Sequence, residues 1–400
     1  MAEEIKLKGF GIKDMLYFSG KPAEREKFIQ NTPAKPLTAQ YETNLKASER
    51  HPVQQKFVVK HVIDRGSDVK SFVFESQGGR KPAFFRAGQY VVVRQVIDGR
   101  LIARPISISS GPEDALNGIM EITVKRNPHG YMSGWILDNW KEGDAVVTSG
   151  PQGTFFYEKY RDCRRVAAVC GGSGITPVLS MAKAIASGDE DFELTVLYGS
   201  RTRHDILFEA EFQEIMKRTD KVRLISVLSE EEIEGDEHGF VGADIIRKYM
   251  GREEFSLFAS GPQGMYRFLD QEAEKLGLDE KHYRKEIFGA SHEPWKEPGY
   301  PAEAKGRQFH VTVKMCNRTY EIEADSSETL LVAFERAGVA GPNRCRGGIC
   351  GYCRSKLLSG EVFIPQDTDG RRQADKVYGY IHPCASFPVS DLVIEVPDNK

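Results

Sequence analysis

The sequence has no long apolar run and no excess of charge of either sign. No hydrophobic stretch approaches the roughly twenty residues that a membrane-spanning helix needs, so we predict no membrane span. Lysine and arginine number 55 against 58 acidic residues, and this balance gives no basis for binding nucleic acid or a membrane surface. The first residues, MAEEIKLKG, lack the apolar core of a signal peptide. We therefore expect a cytoplasmic protein.

Cysteine is also scarce, with seven in 400 residues, but four of the seven form a pattern. Three are spaced C-x4-C-x2-C and a fourth follows at a distance, which is typical of a plant-type 2Fe–2S cluster. Zinc is the alternative, although its sites usually pair two short C-x2-C motifs, and disulfides are uncommon in a reducing compartment. The predicted cluster ligands are Cys345, Cys350, Cys353 and Cys384.

Glycine is abundant where these cysteines cluster. The loop reads CRGGICGYC, and Gly347, Gly348 and Gly351 would allow the tight curl that points three thiolates at one small cluster. Backbone N–H groups in such a loop can donate to the sulfurs and offset their negative charge. The loop therefore favours an iron–sulfur site over isolated thiols.

Residues 1–52 are mostly polar and rich in proline. We predict one short helix there, over Ala23–Ile29, followed by an extended stretch. This segment is interpreted as an N-terminal extension rather than a domain.

The rest of the chain divides by its hydrophobic pattern. Short β-rich runs over 53–157 predict an antiparallel β-barrel, and buried-type strands alternating with helices over 158–290 predict a doubly wound parallel sheet. A linker rich in proline and glycine, 291–306, is expected to be a semi-rigid tether. It leads into the cysteine-containing domain, 307–400, which opens with a hairpin turning at Asn317-Arg318.

Two glycine-rich turns follow strands of the predicted parallel sheet. CGGSGITP (Cys170–Pro177) opens a helix, and SGPQGM (Ser260–Met265) follows a later strand. Open α/β sheets bind ligands at the carboxyl ends of their strands, where backbone N–H groups and helix N-termini can face an anion. A tight turn without a ligand is the alternative for each, but two in one sheet favour a nucleotide site.

The predicted barrel carries two further candidate anion sites. ARPISISS places Arg104 beside a hydroxyl-rich strand, and GYMSGWI (Gly130–Ile136) is expected to begin a helix. An arginine fork can pair with a phosphate, and a helix start can bind a second one. A surface ion pair is the alternative for Arg104.

Together these motifs resemble the ferredoxin–NADP reductase superfamily, in the domain order of the phthalate dioxygenase reductase type. The resemblance covers about residues 53–400 and implies a flavin-binding β-barrel, a nicotinamide domain and a C-terminal β-grasp ferredoxin domain. The implied flavin contacts are Arg104, Pro105, Ile106, Ser107, Gly130, Ser133 and Phe288. The implied nicotinamide-nucleotide contacts are Gly171, Gly172, Gly174, Thr176, Ser200, Arg201, Gly261 and Pro262. The implied catalytic set is Ser107, Ser260 and Glu286.

The sequence departs from this family at two positions. Ile106 stands where the family has the tyrosine that packs on the flavin, which implies altered stacking. Ser260 stands where the family has a cysteine beside the nicotinamide, so a hydroxyl replaces the thiol. Phe288 would cover the flavin ring, with plain core packing as the alternative.

The implied activity is that of an NAD(P)H:acceptor oxidoreductase. A flavin can accept a hydride and release electrons singly, so it converts between a nicotinamide and a 2Fe–2S cluster. We predict electron flow from NAD(P)H through flavin and cluster to a partner oxygenase or other metalloenzyme. The alternative is a non-catalytic electron-transfer subunit of a permanent redox complex.

Three finer points stay open at this level. FAD is favoured over FMN. NADH is favoured over NADPH, although Ser200, Arg201 and Arg203 could bind a 2′-phosphate. The arginines around the cysteines could form a docking face for an acidic acceptor; they are Arg344, Arg346, Arg354, Arg371 and Arg372.

Overall fold

Each change in hydrophobic pattern corresponds to a separate β-sheet. The computed structural model of the protein describes residues 11–32, 41–66, 68–79, 81–128 and 130–398. The chain divides into two units, Met1–Glu49 and Arg50–Lys400. In the described part of the chain, no helix combines the length and the apolar character needed to cross a membrane.

The described N-terminal residues are helical. The helices are α1 (Ile12–Ser19), α2 (Lys21–Asn31) and α3 (Glu42–Arg50). The prediction of a single short helix was wrong, partly because Pro22 lies in the first turn of α2, where proline is well tolerated. The stretch predicted to be extended includes 33–40, outside the described residues, and its described remainder contains α3. None of the three helices buries a residue.

The first sheet is antiparallel and has the strand order β4-β3-β6-β1-β2-β5. Its strands are β1 (Gln55–Gly66), β2 (Val69–Ser76), β3 (Tyr90–Ile97), β4 (Arg100–Ser107), β5 (Ile119–Lys125) and β6 (Ala145–Thr148), and its helices are α4 (Pro112–Leu116) and α5 (Tyr131–Asn139). A bridge between Ile108, just after β4, and Ile122, in the middle of β5, joins the two edge strands. This confirms the predicted antiparallel barrel, whose core includes Phe57, Phe72 and Trp140.

The second sheet is parallel and has the order β10-β9-β8-β7-β11-β12. Its strands are β7 (Arg165–Gly171), β8 (Glu193–Ser200), β9 (Val222–Leu228), β10 (Glu237–His238), β11 (Ser256–Ser260) and β12 (Tyr283–Glu286), and its helices are α6 (Ile175–Ser187), α7 (Glu209–Arg218), α8 (Ala243–Met250) and α9 (Gln263–Leu276). The chain winds outward from β7 to β10 and then returns to the other side of β7 as β11. The crevice between β7 and β11 is therefore the switch point at which doubly wound sheets bind ligands.

The third sheet is mixed and has the order β14-β13-β19-β15-β17. The elements of this region are β13 (Gln308–Met315), β14 (Arg318–Asp325), α10 (Leu330–Arg336), β15 (Ser355–Ser359), β16 (Val362–Phe363), α11 (Gln373–Val377), β17 (Tyr380–Ile381), β18 (Phe387–Pro388) and β19 (Leu392–Glu395). The sheet and α10 form the predicted ferredoxin-type domain. Its first hairpin turns at Cys316-Asn317 rather than at Asn317-Arg318, because Met315 pairs directly with Arg318. Both turn residues have positive φ, as a two-residue hairpin loop requires.

The linker 291–306 is packed against the protein and is not a free tether. It forms two short 3₁₀ helices, Pro294–Lys296 and Ala302–Ala304. Ala304 is buried, and the buried carboxylate of Glu297 pairs with Arg267 of α9. The proline-rich composition therefore marks a change of domain but does not imply a mobile connection.

Arg284 of β12 joins the parallel sheet to the segment that follows the barrel. Its guanidinium donates to both carboxylate oxygens of Asp162, at 2.9 and 2.7 Å, and to the carbonyl of Thr154 at 2.8 Å. A further bond of 3.0 Å reaches Glu158. Arg284 and Asp162 are both buried. Each compensates the charge of the other, and burying either charge alone would be costly.

We expect Arg284→Met to destabilise the protein strongly, because it leaves the Asp162 carboxylate buried without its cation. Losing one partner of a buried pair typically costs about 3–5 kcal/mol, which urea denaturation followed by fluorescence would measure. Arg126→Met is the matched control, since Arg126 pairs with Asp138 in an exposed position and should matter little. Equal effects of the two substitutions would contradict this role of Arg284.

Candidate functional site

A cavity of about 1010 Å³ lies between the barrel and the parallel sheet. Its wall combines β4 and the start of α5 with the carboxyl ends of β7, β8 and β11. Every residue of the predicted flavin and nicotinamide sites lines this cavity: Arg104, Pro105, Ile106, Ser107, Gly130, Ser133, Gly171, Gly172, Gly174, Thr176, Ser200, Arg201, Ser260, Gly261, Pro262, Glu286 and Phe288. The fold thus brings residues from distant parts of the sequence to one surface, and the volume suits large organic cofactors.

The two glycine-rich turns lie against each other because β7 and β11 are adjacent. A β-carbon on Gly174 would lie 2.0 Å from the carbonyl oxygen of Ser260, and one on Gly171 would lie 3.0 Å from the ring of Pro262. Gly172 has a φ of 53°, in the left-handed region that glycine adopts readily. Only glycine permits this close contact between the two turns. The contact places the N-terminus of α6 on the cavity wall, where its backbone N–H groups can bind an anion.

A buried hydrogen-bonded cluster links the two domains inside the cavity. Ser107 of the barrel donates to Glu286 Oε1 at 3.0 Å, and Ser260 donates to Glu286 Oε2 at 3.0 Å. Burial raises the pKa of Glu286 to about 8, because the charged form is poorly solvated there. The structure therefore brings the three residues of the predicted catalytic set together around one carboxyl group whose pKa is raised.

Arg104 lines the cavity, but part of its guanidinium is already occupied. Its Nη1 donates to the two carboxylate oxygens of Glu335, at 3.0 and 2.9 Å, and to the carbonyl of Ala103 at 2.8 Å. The ion-pair alternative considered for this arginine is thus partly correct, although the pair is buried rather than on the surface. At the other predicted phosphate site, Ser133 Oγ accepts from the backbone N–H of Asn127 at 3.0 Å.

Phe288 lies on the cavity wall and also packs against a neighbouring ring. It lines the cavity, and its ring packs edge-to-face on Tyr90, with centroids 5.1 Å apart. Tyr90 in turn belongs to a small apolar cluster with Val92, Ala103 and Cys345. This cluster connects the cavity to the cysteine loop.

The four predicted cluster ligands converge at one end of the third sheet. Cys345, Cys353 and Cys384 are buried, whereas Cys350 is exposed. The sulfurs of Cys353 and Cys384 are 3.4 Å apart. The N–H of Gly347 donates to the sulfur of Cys345 at 3.5 Å, and that of Gly348 donates to the sulfur of Cys384 at 3.3 Å. Four thiols with backbone donors aimed at them fit a 2Fe–2S cluster.

The glycines of the loop act through two different constraints. Gly348 and Gly351 have φ values of 80° and 69°. Gly347 instead allows a close approach, since a β-carbon there would lie 2.8 Å from the carbonyl oxygen of Ile287. Within the described residues, no three His, Cys, Asp or Glu side chains surround a position suited to a single metal ion.

The arginines around the cysteines are mostly engaged within the protein. Arg346 is buried against Glu335, Arg354 pairs with Asp375 and Arg371 pairs with Asp369. Arg344 lies over the ring of Tyr352 at 3.8 Å. Three of the five arginines of the predicted docking face are thus compensated by carboxylates, whereas the described residues show no ion pair for Arg344 or Arg372.

Sequence reasoning missed two side chains that brace the site. The hydroxyl of Tyr266 bonds the carbonyl of Glu286 and accepts from the N–H of Gly261 at 3.0 Å. The buried ring of His382 donates through Nδ1 to the carbonyl of Gly348 at 2.5 Å. Neither lies in a recognisable motif, although Tyr266 directly follows the turn SGPQGM.

Comparisons with known proteins agree with this architecture. Residues 56–157 match the model of the oxidoreductase FAD-binding domain, 168–271 the oxidoreductase NAD-binding domain and 313–389 the 2Fe-2S iron-sulfur cluster binding domain. The glycine betaine monooxygenase reductase subunit of Chromohalobacter salexigens is 31% identical over 382 residues, covering 90% of this chain and 98% of that protein.

This chain belongs to the iron–sulfur flavoprotein reductases that serve oxygenases. The ferredoxin reductase component of a 3-ketosteroid-9-alpha-monooxygenase from Mycolicibacterium smegmatis is 29% identical over 346 residues, covering 84% of this chain and 94% of that one. The structure of phthalate dioxygenase reductase superposes with a TM-score of 0.62 at 22% identity, covering 86% and 98% of the two chains. The reductase therefore uses FAD, NAD(P)H and a 2Fe–2S cluster to pass electrons to a partner oxygenase.

We expect Gly348→Ala to prevent assembly of the cluster. The added β-carbon would lie 2.0 Å from the carbonyl oxygen of Thr368, and the positive φ would add strain. Iron and sulfide content per chain should fall to a small fraction of the wild-type value. Gly338→Ala is the control, because Gly338 has a similar φ of 76° with open space around it. Full cluster content in Gly348→Ala would refute the close-approach argument.

We expect Glu286→Gln to change how stability depends on pH. The pKa of Glu286 is raised from 4.5 to about 8, so the folded protein retains a proton that the unfolded chain releases. Its contribution to the unfolding free energy therefore falls as pH rises from 4.5 to 8 and is constant above that range.

The midpoint temperature of thermal unfolding, measured across this pH range, should thus decline less steeply for Glu286→Gln than for the wild type. Glu272→Gln is the control, because Glu272 is equally buried but Lys275 lowers its pKa. That variant should leave the decline between pH 5 and 8 unchanged. An identical decline in Glu286→Gln and the wild type would contradict the raised pKa.

Proposed function

We propose that this reductase oxidises NADH in the cytoplasm and delivers its electrons, one at a time, to a separate oxygenase component. The balanced reaction is the oxidation of one NADH to NAD⁺ and H⁺ with one-electron reduction of two acceptor molecules. When bound, the flavin accepts a hydride and releases single electrons. Among the described residues no two cysteines are joined by a disulfide, which supports a reducing compartment.

The observation that carries this proposal is the double role of strand β4. Residues Arg104 to Ser107 line the cavity that contains both glycine-rich turns, and the preceding residue, Ala103, packs with Cys345. One strand therefore borders both the cavity, which would hold the flavin and the dinucleotide, and the cysteine loop. That arrangement suits a relay rather than reduction of a small molecule at the flavin.

We assign the chemistry to residues as follows. Arg104, the start of α5 and the segment Pro105–Ser107 hold the flavin, and the two glycine-rich turns hold the dinucleotide. Glu286, Ser107 and Ser260 keep a hydrogen-bonded, mostly protonated group beside the reacting rings. Cys345, Cys350, Cys353 and Cys384 bind the cluster. The domains are taken as 53–157, 158–290 and 307–400, with 291–306 as the connection and 1–52 as an extension.

The surroundings of β8 support NADH over NADPH. Arg203 pairs with the carboxylates of Asp236 and Glu209, so its positive charge is already compensated. Arg201 lines the cavity together with Asp205, whose carboxylate lies 3.8 Å from its guanidinium. A 2′-phosphate would meet an acidic group and little free positive charge, whereas a ribose hydroxyl would not be repelled.

The outer side of the cysteine loop supports a protein acceptor. Ile349 and Cys350 are exposed, whereas Cys345 faces the barrel. The relatives that serve glycine betaine and 3-ketosteroid monooxygenases act with separate oxygenases by name. We propose the same division of labour here.

Anaerobic titration with NADH, followed by visible absorption, tests this function. Both the flavin and the cluster bands should bleach in the titration. In steady-state assays, kcat/KM for NADH should exceed that for NADPH by at least tenfold, the equivalent of about 1.4 kcal/mol. Cys345→Ser is the control and should bleach only in the flavin band. Bleaching of flavin alone in the wild-type protein would refute the relay, and a preference for NADPH would refute the nucleotide assignment.

A further inference from the structure

A buried carboxylate links the cysteine loop to the flavin strand. Glu335 in the last turn of α10 accepts from Arg104 of β4 at 2.9 and 3.0 Å, and from Arg346 at 2.8 and 3.1 Å. Arg346 directly follows the predicted cluster ligand Cys345. Both arginines also donate to the carbonyl of Ala103, at 2.8 and 3.4 Å. These four residues form what is here called the Glu335 clamp.

The clamp is more than a surface ion pair. Glu335 and Arg346 are 5% and 7% exposed, so their charges are almost fully removed from water. Two guanidinium groups share one carboxylate, and each oxygen accepts from both. Removing one partner from such a buried set leaves an uncompensated charge. The two arginines therefore need the Glu335 carboxylate to compensate their buried positive charge.

Local helix stability does not explain an acidic residue at this position. The last turn of a helix favours cations, because the helix dipole is negative there. Glu335 lies in the last turn of α10, against that preference. Its ion pairs with Arg104 of the barrel and Arg346 of the loop instead explain why an acidic residue stands at this position.

We propose that Glu335 is a positioning residue for electron transfer between the flavin site and the cluster. By holding Arg346 against β4, it keeps Cys345 in apolar contact with Tyr90, Val92 and Ala103. This proposal rests on the relay proposed above. Misplacement of reacting groups by about 1 Å can cost about a hundredfold in rate, so loss of the clamp should slow transfer between the sites while leaving each site intact.

Glu335→Gln tests the clamp, since it keeps the shape of the side chain and removes its charge. In anaerobic stopped-flow experiments, flavin reduction by NADH should stay within twofold of wild type, while reduction of the cluster band should slow at least tenfold. Glu328→Gln is the matched control, because Glu328 pairs with Arg336 inside the ferredoxin-type domain only. It should leave both rates unchanged.

A second readout does not depend on turnover. Lys296 and Lys305 lie in the linker with exposed side chains, but two short 3₁₀ helices restrain the linker backbone. Undocking of the ferredoxin-type domain should free that backbone for cleavage. Trypsin should cleave there several-fold faster in Glu335→Gln than in the wild type or Glu328→Gln. Iron content and the oxidised visible spectrum should be the same in all three proteins.

The conservative variant separates charge from shape. Glu335→Asp keeps the carboxylate and should recover most of the cluster-reduction rate, whereas a rate as slow as that of Glu335→Gln would overturn the proposal. If Glu335→Gln does not fold, the double variant Glu335→Gln/Arg346→Gln takes its place, because it also removes the cation that would be left unpaired. It should show the same slow electron transfer from the flavin to the cluster. Wild-type transfer and cleavage in that double variant would also overturn it. Failure of NADH to reduce the flavin in the wild-type protein would instead refute the relay.

Discussion

Glu286, Ile287 and Phe288 follow one another along the chain, and each contacts a different part of the redox assembly. Glu286 accepts hydrogen bonds from Ser107 of the barrel and Ser260 of the parallel sheet. The carbonyl of Ile287 leaves no room for a β-carbon on Gly347 of the cysteine loop. Phe288 packs on Tyr90 beside Cys345. This short segment at the end of β12 therefore contacts the barrel, the parallel sheet and the cysteine loop.

The charges at these junctions are buried in compensated sets. Arg284 with Asp162 joins the parallel sheet to the segment that follows the barrel, and Glu335 with Arg104 and Arg346 joins the barrel to the cysteine loop. Buried ion pairs add little net stability compared with apolar packing. However, any arrangement of the domains that leaves one partner unpaired would bury an uncompensated charge, which is costly. The domains are thus held in one orientation by polar contacts, with a small apolar cluster around Tyr90 between them.

A few close contacts explain how this architecture persists at low sequence identity. The structure of phthalate dioxygenase reductase shares the fold at 22% identity. The constraints described above act on short segments, such as the glycines of the two turns and the loop CRGGICGYC. Elsewhere, a residue need only be apolar and of suitable size, which many sequences satisfy.

The sequence alone determined the domain order and the sheet types, and it predicted residues that meet at one cavity, because these depend on local patterns. Cysteine spacing, glycine-rich turns after strands and changes of hydrophobic period are all readable within a few residues. The N-terminal helices were misjudged, partly because Pro22 is tolerated in the first turn of α2. The hairpin turn was placed one residue late, since no glycine marks it in the sequence MCNR. Only the tertiary structure showed that Ser107 and Ser260 both bond Glu286 and that Arg104 shares Glu335 with Arg346. Those contacts join residues far apart in the sequence, and long-range pairing of charges leaves no periodic trace along the chain.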